Sequence, residues 1–218
     1  MKNLIRNVSH SSRCAPLSTV NFAIKPRRPP AVIGGTGSSG TIASLTAWLT
    51  AIRQLEHGAN FISVMSTNLY GPNDNFDLET SHVLAALLRK AHEAKTRKDS
   101  RLIVWGSGKP RREFLHVDDL ASACVLLLEQ YDSPEIINVG CGEDISIREL
   151  AELVCDVVDF DGELTWDANK PDGTPRKLLD ITKLRALGWK PSIPLRDGIA
   201  RTYEWFLANH ARIPGALW

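Results

Sequence analysis

The sequence predicts an α/β protein whose strands run parallel and carry ligand-binding loops at their ends. Three observations predict it. An apolar β-branched run, a glycine-rich turn, a helix-periodic stretch and a second apolar run follow one another between residues 31 and 65, the order of a βαβ unit. Further along, short apolar runs alternate with stretches whose apolar residues recur at spacings of three and four. Glycine, tryptophan and basic residues also gather just after those runs, where open α/β sheets hold ligands.

Length and composition set the bounds. The 218 residues can bury one good core with a small second lobe. A hydrophobic content of 43% and a charged content of 23% are those of a soluble globular chain. The net charge of +1 gives no reason to expect a nucleic acid partner. That average hides an asymmetry. No acid precedes Glu56, whereas Lys2, Arg6, Arg13, Lys25, Arg27, Arg28 and Arg53 do, so the remainder carries 19 of the 26 basic residues, all 25 acids and a net charge of −6. Cys14, Cys124, Cys141 and Cys155 show neither metal-ligand spacing nor a CxxC pair, so reduced thiols and no metal are expected. No run of 18 or more apolar residues exists, so no membrane span is expected and the expected location is cytoplasmic.

The elements follow in order. Residues 1–30 have the acid-free, Arg- and Ser-containing composition of a transit peptide, but Pro16 interrupts any amphipathic helix, so a leader without structure is expected. Pro26 to Pro30 reads as a linker. Residues 31–75 read as a βαβ unit. Ala31-Val32-Ile33 is its first strand, Gly34, Gly37 and Gly40 punctuate the turn, Ile42, Leu45, Leu49, Ile52 and Leu55 share a helix face, and Ala59 to Met65 is its second strand. The bare turn suits a phosphate approaching a helix amino terminus; a flexible linker has the same composition. Residues 76–209 form the second region. Ser81-His82-Val83 opens a helix through Leu84, Leu87 and Leu88, and Asp118-Asp119 is expected to cap another through Leu120, Cys124 and Leu127. Ile136 to Val139 is a strand, and Ser146 with Glu149 fits a capping box before a helix to Val158. A short helix starts at Asp180 and stops at Gly188-Trp189. A last one runs from Leu195 to Asn209 with Ile199, Tyr203 and Phe206 inward, and 210–218 is expected to be a loose tail.

Four motifs carry candidate ligand chemistry. They are Met65-Ser66-Thr67-Asn68-Leu69-Tyr70-Gly71-Pro72, then Ser81-His82-Val83, then Val104-Trp105-Gly106-Ser107-Gly108 with Arg111-Arg112-Glu113-Phe114-Leu115-His116-Val117-Asp118-Asp119, and finally Lys170-Pro171-Asp172-Gly173-Thr174-Pro175-Arg176-Lys177. Trp105 offers an aromatic wall or a core packing residue. Arg112 offers a bidentate diphosphate contact or a surface ion pair. Asp172 in Pro-Asp-Gly is a turn residue by chemistry alone, and Arg176-Lys177 could be a solvated face. His82 is of the residue type that can both donate and accept a proton beside a carbonyl.

From Asn60 to Asn209 these motifs, in this order, resemble GDP-L-fucose synthase, an extended short-chain dehydrogenase/reductase of the NAD-dependent epimerase/dehydratase family. The resemblance implies a truncated Rossmann-like parallel sheet joined to a small mixed α/β substrate-binding domain. It implies His82 as the epimerising acid–base group and Lys90, Trp105, Arg112 and Asp172 as substrate contacts. Gly34, Gly37, Gly40, Thr67, Asn68 and Leu69 would then line an NADP(H) site, and a homodimer, or a heterodimer with an intact homologue, would be the assembly. The family reaction is 3,5-epimerisation of GDP-4-keto-6-deoxy-mannose and its reduction by NADPH to GDP-L-fucose. The family reduces through Tyr-x-x-x-Lys, and here Tyr70, Tyr131 and Tyr203 are followed four residues later by Asp74, Glu135 and Leu207. Three expectations follow: an enzyme of this type with little reductase activity, a catalytically inactive GDP-sugar-binding module or regulatory subunit, or a truncated copy without function.

Overall fold

A computed structural model describes residues 61–213. The expected glycine turn with Gly34, Gly37 and Gly40, the strand and helix around it, and residues 214–218 lie outside the described residues.

Strand β1 (Val64–Ser66) runs parallel to β6 (Ile137–Val139). One residue later the chain changes partner, and β2 (Asn68–Tyr70) runs parallel to β5 (Phe114–His116). Thr67 fastens the change. Its N–H donates to the Val139 carbonyl at 3.1 Å, while its hydroxyl and the Asn68 side-chain amide donate to the Glu113 carbonyl at 3.1 and 2.7 Å. Strand β3 (Arg101–Trp105) pairs in parallel with β8 (Glu163–Asp167), which places Trp105 opposite Asp167. Strand β4 (Arg111–Arg112) lies between antiparallel β7 (Ile145–Ser146) and parallel β9 (Arg176–Lys177).

Among the described residues, helices α1 (Val83–Arg97), α2 (Val117–Gln130) and α3 (Ile147–Val158) lie in the crossovers that parallel pairs require, and α4 (Thr182–Ala186) and α5 (Leu195–Asn209) follow the last strand. In α1, Leu84, Leu87, Leu88, Ala91 and Ala94 are buried on one face, and Lys98 in the left-handed region ends the helix. The expected capping box of α3 is formed: the Ser146 hydroxyl accepts from the Glu149 N–H, and the Glu149 carboxylate accepts from the Ser146 N–H.

Two expectations are corrected. Asp118-Asp119 does not cap α2. Strand β5 runs into the helix without a loop, so its last residue, His116, is the cap, its Nδ1 accepting from the Asp118 N–H at 3.2 Å. Asp119 is buried instead and accepts from the N–H and hydroxyl of Ser192 and the N–H of Ile193, which holds the approach to α5. The tail from His210 is not loose at its start: a 3-10 turn spans His210–Arg212, and the His210 ring lies 5.8 Å from that of His92.

The apolar side chains divide into two cores. One gathers Phe76, the inner faces of α1, α3 and α5, and Leu102 and Val104 of β3. The other gathers Val64, Ile137, Val139, Leu120, Leu127, Leu184 and Trp189. Alternation along a strand explains the partition between them. Phe114 joins the first core and its neighbour Leu115 the second, as do Tyr70 and Leu69 on β2. Each fully buried leucine contributes about 1.5–3 kcal/mol.

Candidate functional site

The site is built where β3, β4 and the turn after β8 come together. Leu102 and Val104 face the core, so Trp105 faces outward and is 59% exposed. It is not bare. The Lys90 ammonium, from α1, lies 4.9 Å from the ring centre, and the Lys170 ammonium, from the turn after β8, lies 5.0 Å from it. Both distances are those of a cation attracted to the ring's negative face. Burial pushes the Lys90 ammonium below its ordinary pKa. The wall that the sequence offers to a flat ligand ring is therefore already dressed with two cations.

The loop after Trp105 is latched. Gly106 sits at φ 85°, and a Cβ there would meet the Asp172 carboxylate at 2.5 Å. That carboxylate accepts from the Ser107 N–H at 2.6 Å through one oxygen and from the Ser107 hydroxyl at 2.7 Å through the other. These bonds hold the Asp172 carboxyl below the usual carboxylate range. Both oxygens of this expected substrate contact are thus engaged in shaping the loop. Gly108, at φ 76°, lies against Trp166, whose ring carries the Arg148 guanidinium at 4.4 Å.

Arg112 faces the same region. Its register partner is Lys177, while Arg111 is opposite Arg176. Arg111 and Arg176 both donate to Asp144, which lowers that carboxyl's pKa. Adjacent strand residues point to opposite faces, so Arg112 and Lys177 face away from Asp144. Arg112 makes no ion pair with its neighbour Glu113. Glu113 is fully buried, its two oxygens accepting from the N–H groups of Gly142 at 2.6 Å and Leu179 at 3.0 Å. Arg112 instead donates to the Arg111 carbonyl, lies beside Gly173, and has its pKa lowered by burial. Among the described residues Lys90, Arg112 and Lys170 have no salt bridge.

His82 is the cap residue of α1, but its imidazole makes no capping bond. Asp74 stands near it, its carboxyl pushed above the usual carboxylate range by burial against the opposing pull of the Asn75 N–H and of His82, with one oxygen buried and unpartnered. Lys90 lies eight residues further along the helix, a rise of about 12 Å. Thr67, Asn68 and Leu69 are at the strand change. The Thr67 hydroxyl and Asn68 amide are both directed at Glu113, and Leu69 packs on the second core. They therefore offer a dinucleotide a backbone ledge and the second N–H of the Asn68 amide, the first being donated to Glu113.

A separate cavity of about 430 Å³ lies among Tyr70, Arg111, His116, Cys141, Ile193 and Leu195, and no predicted site residue lines it. Lys170 and Ser107 are the site residues that sequence reasoning missed. The only signal for Lys170 was its place in the Lys-Pro-Asp-Gly motif.

Comparison with known proteins follows the same residues. Residues 44–140 match the NAD dependent epimerase/dehydratase family. GDP-L-fucose synthase 1 of Arabidopsis thaliana is 59% identical over 156 residues, 72% of this chain and 48% of that protein. GDP-L-fucose synthase of Escherichia coli K12 is 50% identical over 169 residues, 73% of this chain and 53% of that protein. Among solved structures, a GDP-L-fucose synthetase from Naegleria fowleri bound to NADP superposes with a TM-score of 0.70 at 33% identity, covering 78% of this chain and 54% of that one. The chain thus spans about half the length of the relatives it matches.

Proposed function

We propose that this chain, which belongs to the NAD dependent epimerase/dehydratase family, binds a guanosine-diphosphate sugar in the Trp105 region. The reaction it would serve is that of GDP-L-fucose synthases, from GDP-4-keto-6-deoxy-mannose to GDP-L-fucose. The observation that carries the reading is three cations without salt bridges among the described residues: Lys90 and Lys170 on an exposed tryptophan, and Arg112 beside Gly173 in the turn that latches the glycine loop. A diphosphate supplies the missing anion, and a fork of guanidinium N–H groups matches its oxygens.

In this reading the ligand's diphosphate lies near Trp105 and its sugar reaches along α1 towards His82. An imidazole there would take and return protons at the carbons flanking the 4-keto group, which the carbonyl acidifies. NADP(H), when bound, supplies the hydride for reduction at C4. The Asn68 amide keeps one N–H for it, so its binding would draw on Thr67, Asn68 and Leu69 together with Gly34, Gly37 and Gly40. A second reading, an inactive GDP-sugar-binding subunit paired with an intact homologue, is favoured by a specific observation. None of the three tyrosines is followed by lysine at the fourth position, and burial pushes the Tyr70 hydroxyl well above its ordinary pKa.

Titration calorimetry with GDP-L-fucose and UDP-glucose tests the reading. Saturable heat with the guanosine ligand, weakened at least about tenfold in Arg112→Ala by loss of a charge-assisted contact, is expected. No heat with either ligand would sink it. Incubating the chain with the keto sugar in deuterated water then separates the two readings: His82-dependent deuterium uptake marks an enzyme, and binding without uptake marks the inactive subunit.

A further inference from the structure

We infer that Lys170 is a ligand-contacting, specificity-determining residue that selects a nucleoside diphosphate over a monophosphate, with Trp105 as the platform that poises it. The inference rests on the reading of this region as a sugar-nucleotide site. Lys90 and Lys170 approach the same indole from different elements, at 4.9 and 5.0 Å from its centre. They differ in freedom. Lys90 is half-buried on α1, whereas Lys170 is exposed on a turn.

That turn is held in place. The Lys170 N–H donates to the Asp167 carbonyl at 3.2 Å, and the Asp167 carboxylate accepts from the N–H and side-chain amide of Asn169. Asp167 is also the register partner of Trp105, so the strand pairing carries the ammonium to the ring. The nearby acids are engaged elsewhere: Asp167 with Asn169, and Asp172 with Ser107. Both ammonium groups are therefore left with the π face and solvent. An anion that touches both ammonium groups meets two cations instead of one. A diphosphate, with oxygens on two linked phosphorus centres, can touch both; a single phosphate leaves one unmet. In this arrangement the indole holds cations rather than stacking on the base. Lys170 then swings the short distance from ring to phosphate oxygen while its turn stays fixed.

Calorimetric titration of the full chain with GDP and with GMP tests this, using Lys170→Gln and Lys170→Arg. Lys170→Gln is expected to weaken GDP about tenfold, as loss of one charge-assisted contact does, while changing GMP much less. Lys170→Arg is expected to keep most of the GDP affinity. The dependence of GDP affinity on salt is expected to be shallower in Lys170→Gln than in the parent. Equal losses for GDP and GMP, or GDP binding unchanged in Lys170→Gln, would overturn the inference and leave the proposed function standing. Failure of GDP to bind the parent chain would overturn both.

Discussion

Glu113 shows how much of the site's shape depends on single buried groups. Its backbone carbonyl receives Thr67 and Asn68 where the chain changes sheet partner, and its carboxylate receives Gly142 and Leu179. Removing that carboxylate leaves two N–H groups without their acceptor. Glu113→Ala is expected to destabilise the fold by about 3 kcal/mol in urea unfolding, and Glu113→Gln by less, since it keeps one acceptor. His116 gives a pH dependence. Burial lowers its pKa in the folded chain, while the unfolded value is about 6.5. The folded state therefore binds fewer protons, so the stability tied to His116 is complete above pH ~6.5 and is lost as pH falls towards the lower folded pKa. Thermal unfolding of the parent relative to His116→Asn, which retains a cap acceptor, is expected to worsen as pH drops below that point. At this scale Trp105, Arg112 and His82 stand out in the sequence as candidates because their residue types and neighbours suggest ligand chemistry. The latch of Asp172 on Ser107 and the seating of Glu113 were not. Each joins residues far apart in the chain, and neither side chain carries a local signal of its partner.

At the scale of elements, local rules did well where the cause was local. The Ser146–Glu149 box and the full extent of α5 follow from capping chemistry and apolar periodicity. Ser146→Ala is expected to cost about 1 kcal/mol, read as a lower midpoint in urea. Strand β8 was missed although Leu164 and Trp166 alternate with Glu163, Thr165 and Asp167; two apolar residues are a short signal, and the parallel pairing with β3 defines the strand. The cap of α2 was misplaced because Asp118-Asp119 looks like a cap, while the uninterrupted passage from β5 gives that position to His116. The glycine loop offers another test. Gly108 has φ 76° and a Cβ there would lie 2.7 Å from Trp166, so Gly108→Ala is expected to destabilise by about 1–2 kcal/mol. Because that strain falls on the loop beside Trp105, the same variant is also expected to weaken GDP binding.

Over the whole molecule, the two cores meet along the β2–β5 pair, and the cation-bearing loops gather beside the core that holds α1, α3 and α5. The parallel α/β class was legible from the sequence because apolar runs and helical periods alternate in it. The sheet expected before Phe61 lies outside the described residues. The sequence contains no Tyr-x-x-x-Lys pair, so mixing the chain with NADPH and the 4-keto sugar is expected to leave the cofactor's absorbance unchanged; steady oxidation would show that another group supplies the proton. The central claim, that the Trp105 region holds a guanosine-diphosphate sugar, is tested most directly by nuclear magnetic resonance of the tryptophan indole N–H groups during titration with GDP-L-fucose. The Trp105 signal is identified by its loss in Trp105→Phe. It is expected to move with ligand, while that of Trp189, buried and donating to Ser122, stays in place. A Trp105 signal that does not move at saturating ligand would contradict the account.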